Sequence, residues 1–500
     1  MHSLLFLCAR RLLSHRPAAC RAVAIIPAEL YPVLFRAAFL DGRTLALREL
    51  VAAWPFPVLS LRHLLGHQHL DEKTSKLCVQ TVILAVVEQL RRALEEPWHG
   101  MSECRCRLRL LDMTGLHDAA VARGPEGLSL WSGTVALAKA CLEVAKYHSD
   151  RLKRGSKRLK GPSGASAAPP APSVEVRADL FVNGTSFGVL RDALRTSAAG
   201  PLRLKCRDFH AEELSVAGTV NLLEALEPTG VRRVDLHFNN LGLAGLCAVL
   251  PRLAVFPDLL SLKLPYSNID VRRLPVDAGL RHLAVLLGKL PALKELNLGS
   301  SRLSGKLRQI LGDLQTPLES LELAFCSLLP GDFAFLCQSH HAPALRRLDL
   351  SGHDLTETLL QLLRRLLEAA SGSLLHLDLM ECRLTDARLE ALLPTLCRCS
   401  RLRCLGLFGN PLSMPALKTL VQQTAALPDL RFVIYPHPVD CYSRQPPHLP
   451  AGLFLEDMVD EERFAAASAE LGRMLVSSGR ADAVWTTSLC RHGALDYFTL

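Results

Sequence analysis

From residue 231 to 412 the apolar positions keep one order: Leu-x-x-Leu-x-Leu-x-x-(Asn/Cys/small)-x-Leu. The clearest copies are Leu318-x-x-Leu321-x-Leu323-x-x-Cys326-x-Leu328, Leu345-x-x-Leu348-x-Leu350-x-x-His353-x-Leu355 and Leu402-x-x-Leu405-x-Leu407-x-x-Asn410-x-Leu412. Full copies begin at Val231, Leu259, Leu293, Leu318, Leu345, Leu374 and Leu402, in steps of 28, 34, 25, 27, 29 and 28 residues. Each step has room for a short strand and a returning helix, as at residues 359–369 and 388–397. The long step places an insertion around 270–277. A ladder of this period is the mark of a leucine-rich repeat solenoid, which grows lengthwise and offers a concave strand surface. The expected fold class is therefore α/β: a leucine-rich repeat solenoid (horseshoe) with a helical N-terminal region and a C-terminal cap.

The flanking patterns divide the chain further. Residues 1–150 read as mostly helical. Leu4, Leu5, Cys8 and Leu12 share a helix face, and Pro17 closes that stretch. Pro27 suits the first turn of a second helix, which Pro32 should kink or restart. Residues 79–90 and 134–147 give further amphipathic helices. Residues 151–173, a basic block followed by a Gly/Pro/Ala/Ser run, read as a disordered linker. The solenoid is placed at 174–436, opening with the alternating strand Val174, Val176, Ala178, Leu180, and 430–435 supplies its last strand. Residues 437–500 leave the pattern, hold one clear helix at 461–477, and read as the cap that closes the hydrophobic end.

Composition adds two constraints. The net charge of +9 sits in the N-terminal third, where residues 1–173 hold 24 Lys/Arg against 14 Asp/Glu, while 174–500 hold 34 against 35. The 16 cysteines show no CxxC pair, and the Cys104/Cys106 and Cys397/Cys399 runs lack the spaced partners of a zinc site. Buried free thiols in a reducing compartment follow. No apolar run approaches the roughly 20 residues of a membrane span. The first 28 residues, basic with no acid before Glu29, also fit a mitochondrial presequence. Residues 153–160 fit either an import signal or a solvated charge run. The expected location is cytoplasmic, with the nucleus open.

No catalytic constellation is visible: no HExxH, no GxSxG elbow and no GxGxxG after a strand. His63, His67 and His69 cluster without an acidic or cysteine partner at ligand spacing. The chain reads as a non-enzyme with no cofactor and no metal site. Side chains alternate along a strand, so the concave face can be named directly. It comprises Arg233, Asp235, Lys263, Glu295, Asn297, Glu322, Arg347, Asp349, His376 and Asp378, with Ser261, Ser320, Cys404 and Gly406 between them. This polar, acid-leaning stripe is either a solvated strand surface or a groove for a basic or mixed-charge segment of a target protein. It lacks the basic stripe with aromatics that nucleic acid requires, so no nucleic-acid or membrane partner is expected.

Two short patterns open the chain. Leu4-x-x-x-Cys8-x-x-x-Leu12 resembles the BC-box that docks elongin C, and Ile26-Pro27-x-x-Leu30-x-x-x-Leu34 resembles the cullin-2 box. In this order, within residues 3–35, they resemble a VHL-box, although each also fits an ordinary packed helix. The stretch 26–39, then Leu50-Val-Ala-Ala-Trp54-Pro-Phe56-Pro57, resembles the opening of the PRAME family. Leu110-Leu-Asp112-Met-Thr-Gly-Leu116, the repeat at 318–330, and the tail with Trp485, Asp496, Tyr497 and Phe498 resemble its leucine-rich repeat-containing protein 14 subfamily, and within it the 14B branch. The resemblance covers nearly the whole chain outside 151–173. It implies a horseshoe repeat fold. For members with a working VHL-box it implies a substrate receptor of a cullin-2 RING ubiquitin ligase, with elongin C, elongin B and cullin-2 as partners. Other members act as repressors or signalling regulators, so a scaffold without ubiquitin transfer is the alternative.

Overall fold

The structure, a computed structural model, describes residues 3–14, 25–66, 72–95, 107–116, 132–156, 172–271, 277–442 and 458–489. The chain forms two compact units, Met1–Val234 and Asp235–Leu500.

The first unit opens with α1 (Leu4–Ser14). A 3-10 turn (Ala28–Leu30) leads into α2 (Tyr31–Leu40), whose second residue is Pro32. The proline restarts the helix there because a first-turn position needs no N–H donor. Next come α3 (Thr44–Ala52), β1 (Val58–Ser60), α4 (Leu61–Leu65), α5 (Glu72–Glu95), β2 (Leu110–Asp112) and α6 (Ser132–Ser156). Then follow β3 (Val174–Val182), α7 (Phe187–Ser197), β4 (Leu202–Ala211) and α8 (Val216–Ala225). β1 to β4 pair in parallel in chain order, with Val58 opposite Leu110 and Leu110 opposite Glu175. The strand-and-return architecture thus begins well before Val174. β1 and β2 are three residues each, too short to show an alternating pattern, and they escaped the reading of 1–150 as mostly helical. The linker expected at 151–173 lies outside the described residues, apart from Arg151–Ser156, which end α6, and residues 172–173.

β5 (Arg233–Asp235) stands at the division of the units. In the second unit β6 (Ser261–Lys263), β7 (Glu295–Asn297), β8 (Ser320–Glu322), β9 (Arg347–Asp349), β10 (His376–Asp378), β11 (Cys404–Gly406) and β12 (Phe432–Ile434) follow one another. They pair in parallel and in step, Leu262 to Leu296 to Leu321 to Leu348 to Leu377 to Leu405 to Val433. Each of these central residues is almost completely buried. Burial of each such side chain contributes about 1.5–3 kcal/mol, so the repeated leucines hold the array together. The leucine-rich repeat class expected from the period is the class observed.

The Asn/Cys/small position of the repeat has a specific task. Asn410 Nδ2 donates to Leu379 O and Leu407 O, both at 2.8 Å. Its Oδ1 accepts from Cys382 N at 3.0 Å and Leu384 N at 2.9 Å. In other repeats a thiol substitutes: Cys326 Sγ donates to Leu298 O at 3.1 Å and Cys382 Sγ to Leu350 O at 3.3 Å. Burial pushes both thiols up to about 12, which keeps them protonated as donors. The position must satisfy backbone groups that the turn leaves unpaired inside the core.

The insertion expected at 270–277 shows as a single bridge between Asp270 and Arg302; residues 272–276 lie outside the described set. The cap helix is Glu461–Ser477, as the pattern indicated, with the Asp460 carboxylate accepting from Arg463 N at 3.1 Å. After it comes a strand the pattern did not show, β13 (Val484–Thr486), parallel to β12. Arg480 ties this end down by donating to Leu427 O at 2.6 Å and to Leu430 O.

Candidate functional site

α1 presents two faces. Phe6, Ala9 and Leu13, at i, i+3 and i+7, are buried. The Arg36 guanidinium of α2 lies 5.8 Å from the Phe6 ring centroid, and Arg10 pairs with Asp41 at 2.7 Å. α2 is itself rooted through Tyr31 and Phe35, whose rings pack edge-on to Trp54 at 6.1 and 5.7 Å. The other face of α1 is apolar and open: Leu4 is 78% exposed, Leu5 48% and Leu7 47%. Cys8 is exposed and Leu12 half-buried. Leu5, Cys8, Ala9 and Leu12 line one wall of an apolar groove of about 270 Å³, and Ile26, Leu30, Val33 and Leu34 line the other. The structure therefore brings the two sequence patterns together. Leu4 stands beyond the groove at the helix start, Pro27 is exposed, and Leu34 is largely buried at 4%. Leu5 and Val33 were missed as site residues, although Leu5 lies on the Cys8/Leu12 face by helical spacing.

The second candidate surface is the strand row. Lys263, Asn297, Glu322, Asp349, Asp378 and Gly406 occupy one register, and Ser261, Glu295, Ser320, Arg347, His376 and Cys404 the other. These side chains are far more enclosed than a solvated strand surface. Glu295, Ser320 and Asp378 are 0% exposed, His376 1%, and Arg233 and Arg347 each 6%; Asp235 is half-buried. Strands about 4.8 Å apart let each long side chain roof its neighbour. The charges are largely paired within the row. Lys263 lies 3.2 Å from Glu295, and Asn297 Nδ2 donates to Glu322 at 2.8 Å. Arg347 reaches Glu322 at 3.6 Å, and His376 meets Asp378 at 2.8 Å. Gly406 leaves room for Asp378: a Cβ there would stand 2.2 Å from Asp378 Oδ1. Burial, then Asp378 and Glu322, push the Asp349 carboxyl up to about 7. Burial, then the neighbouring Asp378, pushes the Cys404 thiol up to about 12 against the opposing pull of Arg347 and Arg403.

Among the described residues no group of three or more His, Cys, Asp or Glu could hold a metal ion, and no helix is long and apolar enough to cross a membrane. His67, His69, Cys104 and Cys106 lie outside the described residues.

Comparison with known proteins fits this geometry. The family profile of the PRAME N-terminal domain matches residues 2–95, and that of the PRAME C-terminal domain matches 214–499, more than half of the chain. The chain belongs to the PRAME family. Within the family it is similar to leucine-rich repeat-containing protein 14 of Xenopus laevis, 54% identical over 512 residues with 100% of each chain covered. The same protein of Homo sapiens is 46% identical over 512 residues, again with 100% of each chain covered. PRAME family member 12 of Homo sapiens is 29% identical over 449 residues, covering 88% of this chain and 86% of that one. A chain of the yeast Rad7 and Elc1 complex covers 93% of this chain and 100% of its own at 14% identity, but its TM-score of 0.40 is too low to carry meaning. A PRAME-family repeat solenoid is a protein-interaction fold.

Proposed function

We propose that this PRAME-family chain is a non-enzymatic adaptor, the substrate-recognition subunit of a cullin-2 RING E3 ubiquitin ligase. Elongin C, with elongin B, docks on Leu4, Cys8 and Leu12, and cullin-2 on Ile26, Pro27, Leu30 and Leu34. The target protein lies on the strand row of the repeats. The adaptor contributes proximity between target and ligase, and no bond-making group of its own. The supporting observation is the two-faced α1: Phe6, Ala9 and Leu13 fix it to the unit while Leu4, at 78% exposure, and Cys8 remain open beside the groove. An apolar helix face left in water is the form of a partner-docking element. The proposed location is the cytoplasm, with the nucleus reached if residues 153–160 are read as an import signal. Within the subfamily we assign the chain to the 14B branch. The 46% identity with the human and mouse proteins of the 14 type leaves room for a separate branch.

The test is co-precipitation from cells of the intact chain and of the double variant Leu4→Ala, Cys8→Ala. Elongin C and cullin-2 should be recovered with the first and lost with the second, while the repeats stay folded by circular dichroism. Equal recovery with both would sink the assignment. A second reading, a stoichiometric scaffold or negative regulator without ubiquitin transfer, is favoured by the burial of Leu34 at 4% and of the Phe6 face. In that reading α1 and α2 only close the N-terminal end of the array. Recovery of neither partner with the intact chain would point there.

A further inference from the structure

In seven consecutive repeats of the second unit the second residue after the last leucine lies in the left-handed region. It is Phe238 (φ 56°), Tyr266 (56°), Ser300 (59°), Phe325 (57°), Gly352 (76°), Glu381 (53°) and Gly409 (71°). Glycine or asparagine belongs there, and bulky residues rarely tolerate it. Yet three of the positions hold large aromatics, and these are exposed: Phe238 36%, Tyr266 53% and Phe325 45%. Neither core packing nor backbone preference accounts for them. The row forms a shelf in which Phe238, Phe325 and Glu381 each lean on the next repeat. Phe238 stacks on Tyr266 with centroids 4.5 Å apart and planes 15° apart. Phe325 lies so close over Gly352 that a Cβ there would be 2.2 Å from its ring, and Glu381 covers Gly409 in the same way.

The shelf is joined to the strand row on its acidic side. The Asp235 carboxylate meets His237 Nδ1 at 2.9 Å, and the His237 ring packs edge-on to Phe238. Asp349 accepts from Ser351 N at 2.9 Å, and Ser351 O accepts from Phe325 N at 2.8 Å. In the adjoining strand row Lys263 is engaged with Glu295 at 3.2 Å, Arg347 lies 3.6 Å from Glu322 and His376 meets Asp378 at 2.8 Å, while Asp235 and Asp349 are the half-buried carboxylates beside the shelf. The shelf itself carries an acid, Glu381, and no base. Flat aromatic faces beside carboxylates match one side chain above others. A guanidinium stacks on rings and forks to carboxylates, whereas an ammonium offers only a point charge.

We propose that the Phe238–Tyr266–Phe325 shelf docks an extended, arginine-bearing segment of the target protein, its guanidinium groups stacked on the rings and reaching the half-buried carboxylates of Asp235 and Asp349. This deepens the adaptor reading and rests on the part of it that places the target on the repeats. Left-handed strain at the aromatics is then the cost of holding exposed rings in place. General electrostatic attraction is not the cause, because residues 174–500 carry 34 basic against 35 acidic side chains.

The experiment titrates the full-length chain against a short dye-labelled peptide with arginine at alternate positions among glycine and serine, read by fluorescence anisotropy. Its lysine counterpart is the control. Expected are saturable binding of the arginine peptide and binding of the lysine peptide weaker by roughly tenfold. In the variant Tyr266→Asn, Phe325→Asn arginine-peptide affinity should also drop roughly tenfold. That variant's melting midpoint should be unchanged or higher, since asparagine suits the left-handed backbone. Equal binding of both peptides, unaffected by the variant, would overturn the proposal, as would absence of saturable binding to the intact chain. Elongin C recovery is measured on the same protein. Peptide failure with elongin C retained removes the shelf alone, and elongin C failure with peptide binding retained removes the ligase reading alone.

Discussion

α1 and the strand row invert the usual placement of side chains. On α1 leucines stand in water; on the strand row glutamate, aspartate and arginine are enclosed. The inversion has different causes. Leu4, Leu5 and Leu7 are exposed because one face of an amphipathic helix already fills the contact with α2, and the opposite face is left uncovered among the described residues. The strand charges are enclosed because parallel strands stack them side by side, and pairing between neighbours offsets the loss of water. Exposed apolar groups of the first kind should be dispensable for folding, and enclosed polar groups of the second kind should not.

The strongest way to break that contrast is at Asn410. Four of its side-chain hydrogen bonds serve buried backbone groups of two repeats. Asn410→Ala should cost about 3 kcal/mol or more, measured by urea unfolding. A loss under about 0.5 kcal/mol would mean that water serves those groups equally well.

Asp349 sharpens the contrast within the strand row. Folding raises its carboxyl from 3.8 to about 7, so the protonated form favours the fold. Its contribution is full below about pH 4 and is lost as pH rises through 7. Asp349→Asn should therefore raise stability at pH 8 by roughly 1–3 kcal/mol, allowing for solvent screening, and leave it nearly unchanged at pH 4. His341 acts in the opposite sense: burial lowers its ring to about 4, so its contribution is full above 6.5 and fades toward 4. The variant isolates Asp349 because His341 is common to both proteins. Urea midpoints across that pH range decide the matter, and a pH-independent difference would refute the burial argument.

A close contact gives the next test. Gly406→Ala would drive its Cβ against Asp378 Oδ1, at 2.2 Å, and Met380 Cε, at 2.5 Å. The expected cost is about 1–3 kcal/mol in thermal unfolding. The smallest effect belongs to α1: Leu4→Ala should change stability by under about 0.5 kcal/mol. Phe6→Ala on its other face should release the helix, seen as lost hydrogen-exchange protection over 4–14.

The leucine period alone made the repeat architecture legible, because each Leu262- or Leu348-type position must point inward for the array to close. The cap helix was equally plain from its apolar spacing. The three-residue strands β1, β2 and β13 were not, since their pairing comes from neighbouring repeats and leaves no local pattern. The membership of the strand row was readable by alternation, but its enclosure was not: that depends on Lys263, Glu295 and Arg347 covering one another across strands. The left-handed aromatics were hidden for another reason. Phe238 and Tyr266 look like ordinary hydrophobic residues until the backbone shows where they sit. At the N-terminus the helix spacing was visible, whereas which face would be buried depended on α2.

The central claim is that the open face of α1 exists for a partner. It is tested most directly by isothermal titration of purified elongin B/C into the full-length chain and into the Leu4→Ala, Cys8→Ala variant. Saturable one-to-one heat with the intact chain, abolished in the variant at unchanged melting midpoint, is the expected result. No heat with the intact chain, or the same heat with both, would contradict it.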